Sequence, residues 1–165
     1  MKYNTTMKNV LLYTLVSVAI LLASCKFPGK QDDIEPIFFR TEGADLMVNV
    51  DGNTDSNVFI IYLHGGPGGG SIAYNQGYYS DKMEEDYAVV YLDQRGNGSS
   101  QGNYDRSALT LEQNSKDIYN LTQFLKAKYG ENISVFLSGH SWGGITSAHA
   151  SVSYTHLTLP TICSV

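Results

Sequence analysis

The segment Ser138–Gly144, which reads SGHSWGG, carries the clearest chemical pattern in this sequence. It contains G-x-S-x-G, with Ser141 between Gly139 and Gly143, and it follows the apolar run Ile133–Leu137. Between a strand and a helix, this pattern holds a serine on a sharp turn and presents its hydroxyl as a nucleophile. Ser141 is therefore the first candidate catalytic residue. Glycines are expected on either side of it because side chains there would collide with the crowded turn.

A second segment, His64–Gly70, has five glycines in seven positions and follows another apolar run. Backbone N–H groups in such a loop can approach a ligand closely because no Cβ atoms cover them. A phosphate-binding loop would need a lysine near its end, and Gly70–Ile72 supplies none. After a buried strand and ahead of a serine turn, the loop is instead typical of an oxyanion hole.

A third segment, Asp93–Ser100 (DQRGNGSS), is a polar turn punctuated by glycines. Its charged residues, Asp93 and Arg95, admit two interpretations. They could be a catalytic acid and a substrate clamp, or an internal ion pair whose hydrogen bonds hold this turn against the glycine loop. We favour the second interpretation.

The intervening residues predict the elements that position these three segments. Short apolar runs at 37–39 and 46–50 predict an antiparallel start to a sheet. The nearly continuous apolar runs Val58–Leu63 and Tyr87–Leu92 are typical of strands buried on both faces of a parallel sheet. An irregular helix is predicted between them, at 71–85.

A longer helix is predicted after the polar turn. Thr110 and Gln113 have the form of a capping box, and Gly130 is a suitable stop. Between them, apolar residues recur at helical spacing as a packing stripe: Leu111, Ile118, Leu121, Leu125 and Tyr129. The order of strands and helices predicts an α/β fold with a parallel sheet and right-handed crossovers.

Together the three motifs resemble those of the prolyl iminopeptidases over roughly residues 37–150: HGGPGGG at His64–Gly70, DQRGNGS at Asp93–Ser99 and GHSWGG at Gly139–Gly144. The resemblance implies an α/β-hydrolase fold, of which this chain holds the N-terminal half. It also implies a serine peptidase that releases an N-terminal residue, typically proline, through an acyl-enzyme. No metal or organic cofactor is expected.

The resemblance also assigns roles to individual positions. Ser141 corresponds to the nucleophile, and the backbone N–H groups of Gly66 and Trp142 correspond to the oxyanion-binding donors. His64 opens the glycine loop and is expected to brace it. For that reason His64 is not expected to act as the catalytic base. His140 is not expected to do so either, because a side chain beside the nucleophile cannot easily turn back onto Ser141 Oγ.

A serine nucleophile needs a histidine to take its proton and a carboxylate to orient that histidine. In this fold both follow the serine, yet no Asp or Glu follows Trp142 in this sequence. We therefore expect the acid, the base, the later strands and the helical cap to lie beyond this chain. The 165-residue chain itself is expected to be inactive and unstable, because a half-built parallel sheet leaves apolar surface uncovered.

Two other functions remain open. The same machinery serves esterases, lipases and lactonases, and a non-catalytic surface lipoprotein could keep the fold as a binding module. The expected ligand is a small peptide or ester, and the sequence does not indicate the oligomeric state.

Residues 151–165 depart from the pattern of the preceding domain. They contain Pro160, several threonines and Cys163, so the helix expected after the serine turn should end near residue 150. The segment VSYTHLTLPT at 152–161 resembles a reading frame translated through a transposon-type sequencing adaptor. We expect a hydrolase domain over residues 37–150 and a non-native tail after it, with a genuine short C-terminus as the alternative.

The first 24 residues have the features of a secretory signal. A basic start with Lys2 and Lys8 precedes the apolar run Val10–Leu22, which is too short to span a bilayer comfortably. The following Leu22–Cys25 resembles the bacterial lipobox, in which the cysteine is lipidated and becomes the mature N-terminus. The alternative is an N-terminal anchor helix with an incidental cysteine at position 25.

Lipidation of Cys25 would hold the mature protein at a membrane surface outside the cytoplasm. Residues 25–36 are expected to be a solvated tether. Removal of residues 1–24 takes away two lysines and no acid, so the formal net charge changes from −5 to −7. This acidity argues against nucleic acid as a partner. Only Cys163 would remain as a thiol, which excludes a disulfide framework.

Replacing Cys25 with serine tests the lipobox. The Cys25→Ser protein is expected to incorporate no tritiated palmitate and to leave the membrane fraction, because the acyl acceptor is lost. Cys163→Ser is the matched control and should label normally. Continued labelling of the Cys25→Ser protein would reject the lipobox interpretation.

Overall fold

The computed structural model describes Tyr13, residues 36–154 and the backbone of residues 162–164. Apart from Tyr13, the predicted signal peptide lies outside the described residues, as do Cys25 and nearly all of the tether. The chain divides into two compact units, Met1–Gln31 and Asp32–Val165, and every element below belongs to the second. Within the described residues, no helix combines the length and the hydropathy needed to cross a bilayer.

The described part of the second unit is a seven-stranded sheet with three α-helices. The strands are β1 (Ile37–Thr41), β2 (Ala44–Gly52), β3 (Val58–Leu63), β4 (Ala88–Leu92), β5 (Gln101–Gly102), β6 (Ser134–His140) and β7 (Ile162–Ser164). The helices are α1 (Tyr78–Asp86), α2 (Leu111–Tyr129) and α3 (Trp142–Ser153). Short 3₁₀ helices occur at Thr54–Ser56, Ser71–Ala73 and Arg106–Ala108.

The sheet has the order β1-β2-β4-β3-β6-β7, with β5 paired to β2. Strand β2 is antiparallel to β1 and β4, whereas β4, β3, β6 and β7 are mutually parallel. The predicted α/β architecture, an antiparallel start followed by parallel strands, is confirmed. Because β3, β4 and β6 are parallel, their carboxyl ends meet at one edge of the sheet. Each of the three motifs follows one of these ends.

The main core lies between one face of the sheet and helices α2 and α3. Every residue of β4 is buried, as predicted. In β3, however, Phe59, Ile61 and Leu63 are fully buried while the alternate side chains are only half-buried, so the prediction of two buried faces was half right. The reason is that α1, which lies on the second face of the sheet, packs on β2 and β4. There Tyr91 of β4 donates a hydrogen bond to Glu84 of α1 at 2.8 Å.

Helix α2 begins and ends as predicted. The hydroxyl of Thr110 accepts the backbone N–H of Gln113 at 3.1 Å, and Gly130 ends the helix with φ 121°. The central residues of the predicted stripe, Ile118, Leu121 and Leu125, are buried in the core. The cap at Thr110 and the apolar stripe therefore both stabilise the folded helix.

The prediction that the helix after the serine turn is abandoned at Ser151 was wrong. Helix α3 continues to Ser153, and Tyr154 then stacks on Tyr119 of α2 with ring centroids 4.7 Å apart. This aromatic contact supports the last turn of the helix. Strand β7 adds to the sheet beside β6. The origin of residues 151–165 stays a prediction.

Arg95 forms a buried ion pair with Asp117 of α2, and the predicted pair with Asp93 was wrong. Its guanidinium donates to both carboxylate oxygens of Asp117 at 2.7 Å, and also to the carbonyls of Thr41 and Glu42 at 3.2 Å. The Asp117 hydrogen bond raises the pKa of Arg95. Burial raises the pKa of Asp117, and the guanidinium opposes that shift. Arg95 therefore ties the polar turn to α2 and to the β1–β2 hairpin.

Replacing Arg95 with methionine is expected to destabilise the protein by about 3–5 kcal/mol, because Asp117 is left buried and unpaired. The measurement is the free energy of unfolding in urea. Arg40→Met is the matched control, because the Arg40–Asp45 pair has the same geometry but Arg40 is 81% exposed. Equal midpoints for the two variants would contradict the role given to Arg95.

Candidate active site

Ser141 lies between β6 and α3 in a backbone conformation that few non-glycine residues adopt. Its φ is 54° and its ψ is −116°, and its side chain is exposed. Its carbonyl accepts the N–H groups of Gly144 at 3.0 Å and Ile145 at 3.2 Å, which begins the helix directly after the turn. This is the strand–turn–helix geometry that G-x-S-x-G predicts. Its role as nucleophile stays a prediction.

The two flanking glycines are required by sterics. A Cβ on Gly139 would overlap the carbonyl oxygen of Gly143 and lie 2.8 Å from the nitrogen of Gly144. A Cβ on Gly143 would overlap the carbonyl oxygen of Leu63 and lie 2.8 Å from that of His64. The first turn of α3 therefore packs directly on the end of β3, where the glycine loop begins.

The glycine loop lies beside Ser141. A Cβ on Gly65 would be 3.3 Å from the Cβ of Ser141 and 3.0 Å from Cδ2 of His140. Gly66 has φ 64°, and no atom lies within 4 Å of the position its Cβ would take. Trp142 is the first residue of α3, so its N–H has no partner inside the helix. The two predicted oxyanion donors thus belong to segments that meet at Ser141.

His64 is fully buried and both of its ring nitrogens have partners. Nε2 accepts the backbone N–H of Gln94 at 3.2 Å, which assigns the ring proton to Nδ1, 3.2 Å from the carbonyl oxygen of Gly65. The Gln94 side chain also donates to the His64 carbonyl at 2.9 Å. These contacts hold the start of the glycine loop, in agreement with the bracing role expected of His64.

Asp93 holds the other end of the glycine loop through backbone hydrogen bonds. Its carboxylate accepts the N–H of Ser71 at 2.6 Å and the N–H of Ser99 at 2.7 Å. Asn97 Oδ1 accepts the N–H of Gly68. The predicted contact between the two loops is therefore present through Asp93, whereas Arg95 points to α2 instead.

Three residues with structural roles here were not predicted from the sequence: Gln94, Asn97 and Asp117. Gln94 and Asn97 stand in the polar turn beside Asp93 and Arg95, and a loop with five glycines needs partners of this kind. Asp117 lies in α2, 22 residues after Arg95, and the sequence gives no sign of this long-range partner.

The described residues do not complete a catalytic triad around Ser141. Within them, no hydrogen bond is made to Ser141 Oγ. His140 is exposed and lies against Gly65. His149 of α3 contacts the Ser115 hydroxyl of α2 at 2.8 Å, so it joins two helices.

Comparison with known proteins agrees with this geometry. A family model described as serine aminopeptidase, S33, matches residues 56–164, about two thirds of the chain. The "Probable aminopeptidase YbaC" of Bacillus subtilis is 35% identical over 104 residues, which are 62% of this chain and 32% of that protein. The lysophosphatidylserine lipase ABHD12 of Macaca fascicularis is 31% identical over 104 residues, 63% of this chain and 25% of that protein.

A solved structure extends the likeness to the fold. The proline iminopeptidase-related protein TTHA1809 of Thermus thermophilus superimposes with a TM-score of 0.66 and 25% identity, over 79% of this chain and 44% of that one. The chain thus spans about a third or less of the curated relatives and less than half of this structure.

Two neighbouring glycines give a direct test of the packing at the turn. Gly143→Ala should destabilise the protein by about 1–3 kcal/mol or more, because the added methyl has no space against Leu63 and His64. Gly144→Ala is the control, because its methyl would lie an ordinary 3.5 Å from the carbonyl of Gly139. Thermal unfolding measures both. A Gly143→Ala variant as stable as Gly144→Ala would contradict the close approach.

Proposed function

We propose, because the chain belongs to the serine aminopeptidase S33 family of α/β-hydrolases, that the whole protein is a serine hydrolase that releases N-terminal residues from peptides, with proline favoured. The observation that carries the proposal is the exposed Ser141 on its strained turn, beside the glycine loop and the start of α3. The likeness to an aminopeptidase and to a proline iminopeptidase-related protein supports the substrate class.

The proposed reaction begins when Ser141 Oγ attacks the carbonyl carbon of the N-terminal residue. A histidine beyond this chain takes the hydroxyl proton, and the carbonyl π electrons move onto oxygen. The C–N bond then breaks, and the leaving amine takes the proton from the histidine. Water, deprotonated by the same histidine, attacks the acyl-enzyme. The bond to Ser141 Oγ then breaks, the histidine returns its proton to Oγ, and the free amino acid leaves.

The proposed role of the glycine loop is to stabilise the oxyanion of the tetrahedral intermediate that the attack of Ser141 produces. The N–H groups of Gly66 and Trp142 would donate to it from positions fixed before the reaction, beside the positive end of the α3 dipole. Removal of one such donor typically costs about 2–4 kcal/mol of transition-state stabilisation. Fixed backbone donors suit this task because they need no rearrangement as the charge develops.

A second candidate function is ester hydrolysis by the same steps, with a C–O bond broken in place of C–N. The observation that favours it is the 31% identity to a lysophosphatidylserine lipase. A third candidate, a non-catalytic binding module, would keep the fold without a functional triad.

We further propose that the mature protein is a lipoprotein held outside the cytoplasm by lipid on Cys25, with a small peptide or ester as its ligand. The support is the signal-like sequence of residues 1–24 and the tether-like composition of residues 25–36. This placement would give the enzyme access to peptides outside the cytoplasm.

Kinetics on the whole protein test the proposed function. Proline p-nitroanilide should be hydrolysed faster than p-nitrophenyl butyrate, measured as kcat/KM. Ser141→Ala should lower kcat by about 10⁴-fold or more, because the nucleophile is lost. Ser134→Ala, at an exposed serine at the start of β6, is the control and should keep full activity.

The outcomes separate the candidates. Faster ester hydrolysis that depends on Ser141 would select the esterase or lipase function. Hydrolysis of both substrates by the Ser141→Ala protein would reject both enzymatic candidates.

A further inference from the structure

We propose that Gln94 is a positioning residue that keeps the two oxyanion donors, on the glycine loop and on α3, at a fixed separation. The inference rests on the proposed function, because it concerns the same site. Gln94 is the second residue after β4, at the point where the carboxyl ends of β3, β4 and β6 meet. It is 1% exposed, so it acts from beneath the site and not on the substrate.

The polar groups of Gln94 all face neighbouring segments. Its backbone N–H and its side-chain amide donate to Nε2 and the carbonyl oxygen of His64, at 3.2 and 2.9 Å. Its own carbonyl accepts the N–H of Asn97 at 2.9 Å, and its Oε1 lies 3.4 Å from the hydroxyl of Thr146. A buried amide with this many partners fixes both its own rotamer and the groups around it.

The contact with Thr146 connects Gln94 to the first turn of α3. Thr146 is fully buried, and its one hydroxyl proton is shared between the carbonyl oxygen of Trp142 at 2.8 Å and Oε1 of Gln94 at 3.4 Å. In the same turn, Gly143 packs against the carbonyl of His64 that Gln94 binds. The amide of Gln94 therefore touches both the segment that leads to Gly66 and the turn that carries the Trp142 N–H.

The glycine loop needs such a partner because its five glycines have no side chains to hold it. Asp93 and Asn97 fix the loop after Gly66, through Ser71 and Gly68, and Gln94 fixes it before Gly66, through His64. Gly66 is thus held from both directions. A displacement of about 1 Å at a reacting group can cost roughly 10²-fold in rate.

The side chain must be an uncharged amide. A carboxylate at position 94 has no N–H to donate, so its oxygens would face the carbonyl oxygen of His64 in a buried site. A methionine has the same length and fills the space but makes neither side-chain contact, with the His64 carbonyl or with Thr146. The two substitutions therefore separate the loss of these contacts from repulsion between oxygens.

The test uses the whole protein with Gln94→Met, Gln94→Glu and the control Thr122→Val. Thr122 is equally buried, but its hydroxyl donates within α2, to the carbonyl of Ile118. Gln94→Met should lower kcat by about 10- to 100-fold with KM nearly unchanged, and should weaken binding of a prolyl boronic acid by a similar factor. Gln94→Glu should lose at least as much, and Thr122→Val should match the unsubstituted protein.

Amide hydrogen exchange gives a readout that does not depend on activity. Gln94→Met should speed exchange in residues 64–70 and at the start of α3, and Thr122→Val should not. Unchanged exchange, or a kcat equal to that of Thr122→Val, would overturn the proposal. If the unsubstituted protein shows no Ser141-dependent hydrolysis, the proposed function fails, and exchange alone then decides whether Gln94 couples the two segments.

Discussion

The backbone of Ser141 is the constraint on which the rest of this site depends. A serine at φ 54° and ψ −116° is strained by about 1–3 kcal/mol, so the surrounding structure must hold it there. Three features do so: the pairing of β6 with β3, the immediate start of α3, and the absence of side chains at Gly139 and Gly143. The same packing that imposes the strain exposes the hydroxyl and brings the glycine loop beside it.

The glycine loop differs from Ser141, because its glycines allow many backbone conformations and other residues must hold the loop in one of them. The polar turn after β4 supplies them, one contact for each part of the loop: Gln94 at His64, Asn97 at Gly68 and Asp93 at Ser71. Arg95 in turn anchors the polar turn to α2 through a pair that is almost fully buried. Helix α2 thus holds the polar turn, and the polar turn holds the glycine loop. The glycine loop in turn positions the candidate oxyanion site.

Local patterns in the sequence predicted most of the fold. The apolar runs located β3 and β4, the capping box at Thr110 located α2, and G-x-S-x-G located the turn at Ser141. Long-range partners could not be predicted in this way. The pairing of Arg95 with Asp117 and the burial of one face of β3 depend on which helix packs where, and the extension of α3 to Ser153 depends on an aromatic contact with another helix.

Covalent labelling tests the proposal that Ser141 is the nucleophile. The whole protein would be treated with a fluorophosphonate, digested and mapped by mass spectrometry. We expect one adduct, on the peptide that contains Ser141, with loss of hydrolytic activity in proportion to labelling. An active protein that carries the adduct at another residue, or that stays active when Ser141 is fully labelled, would contradict it.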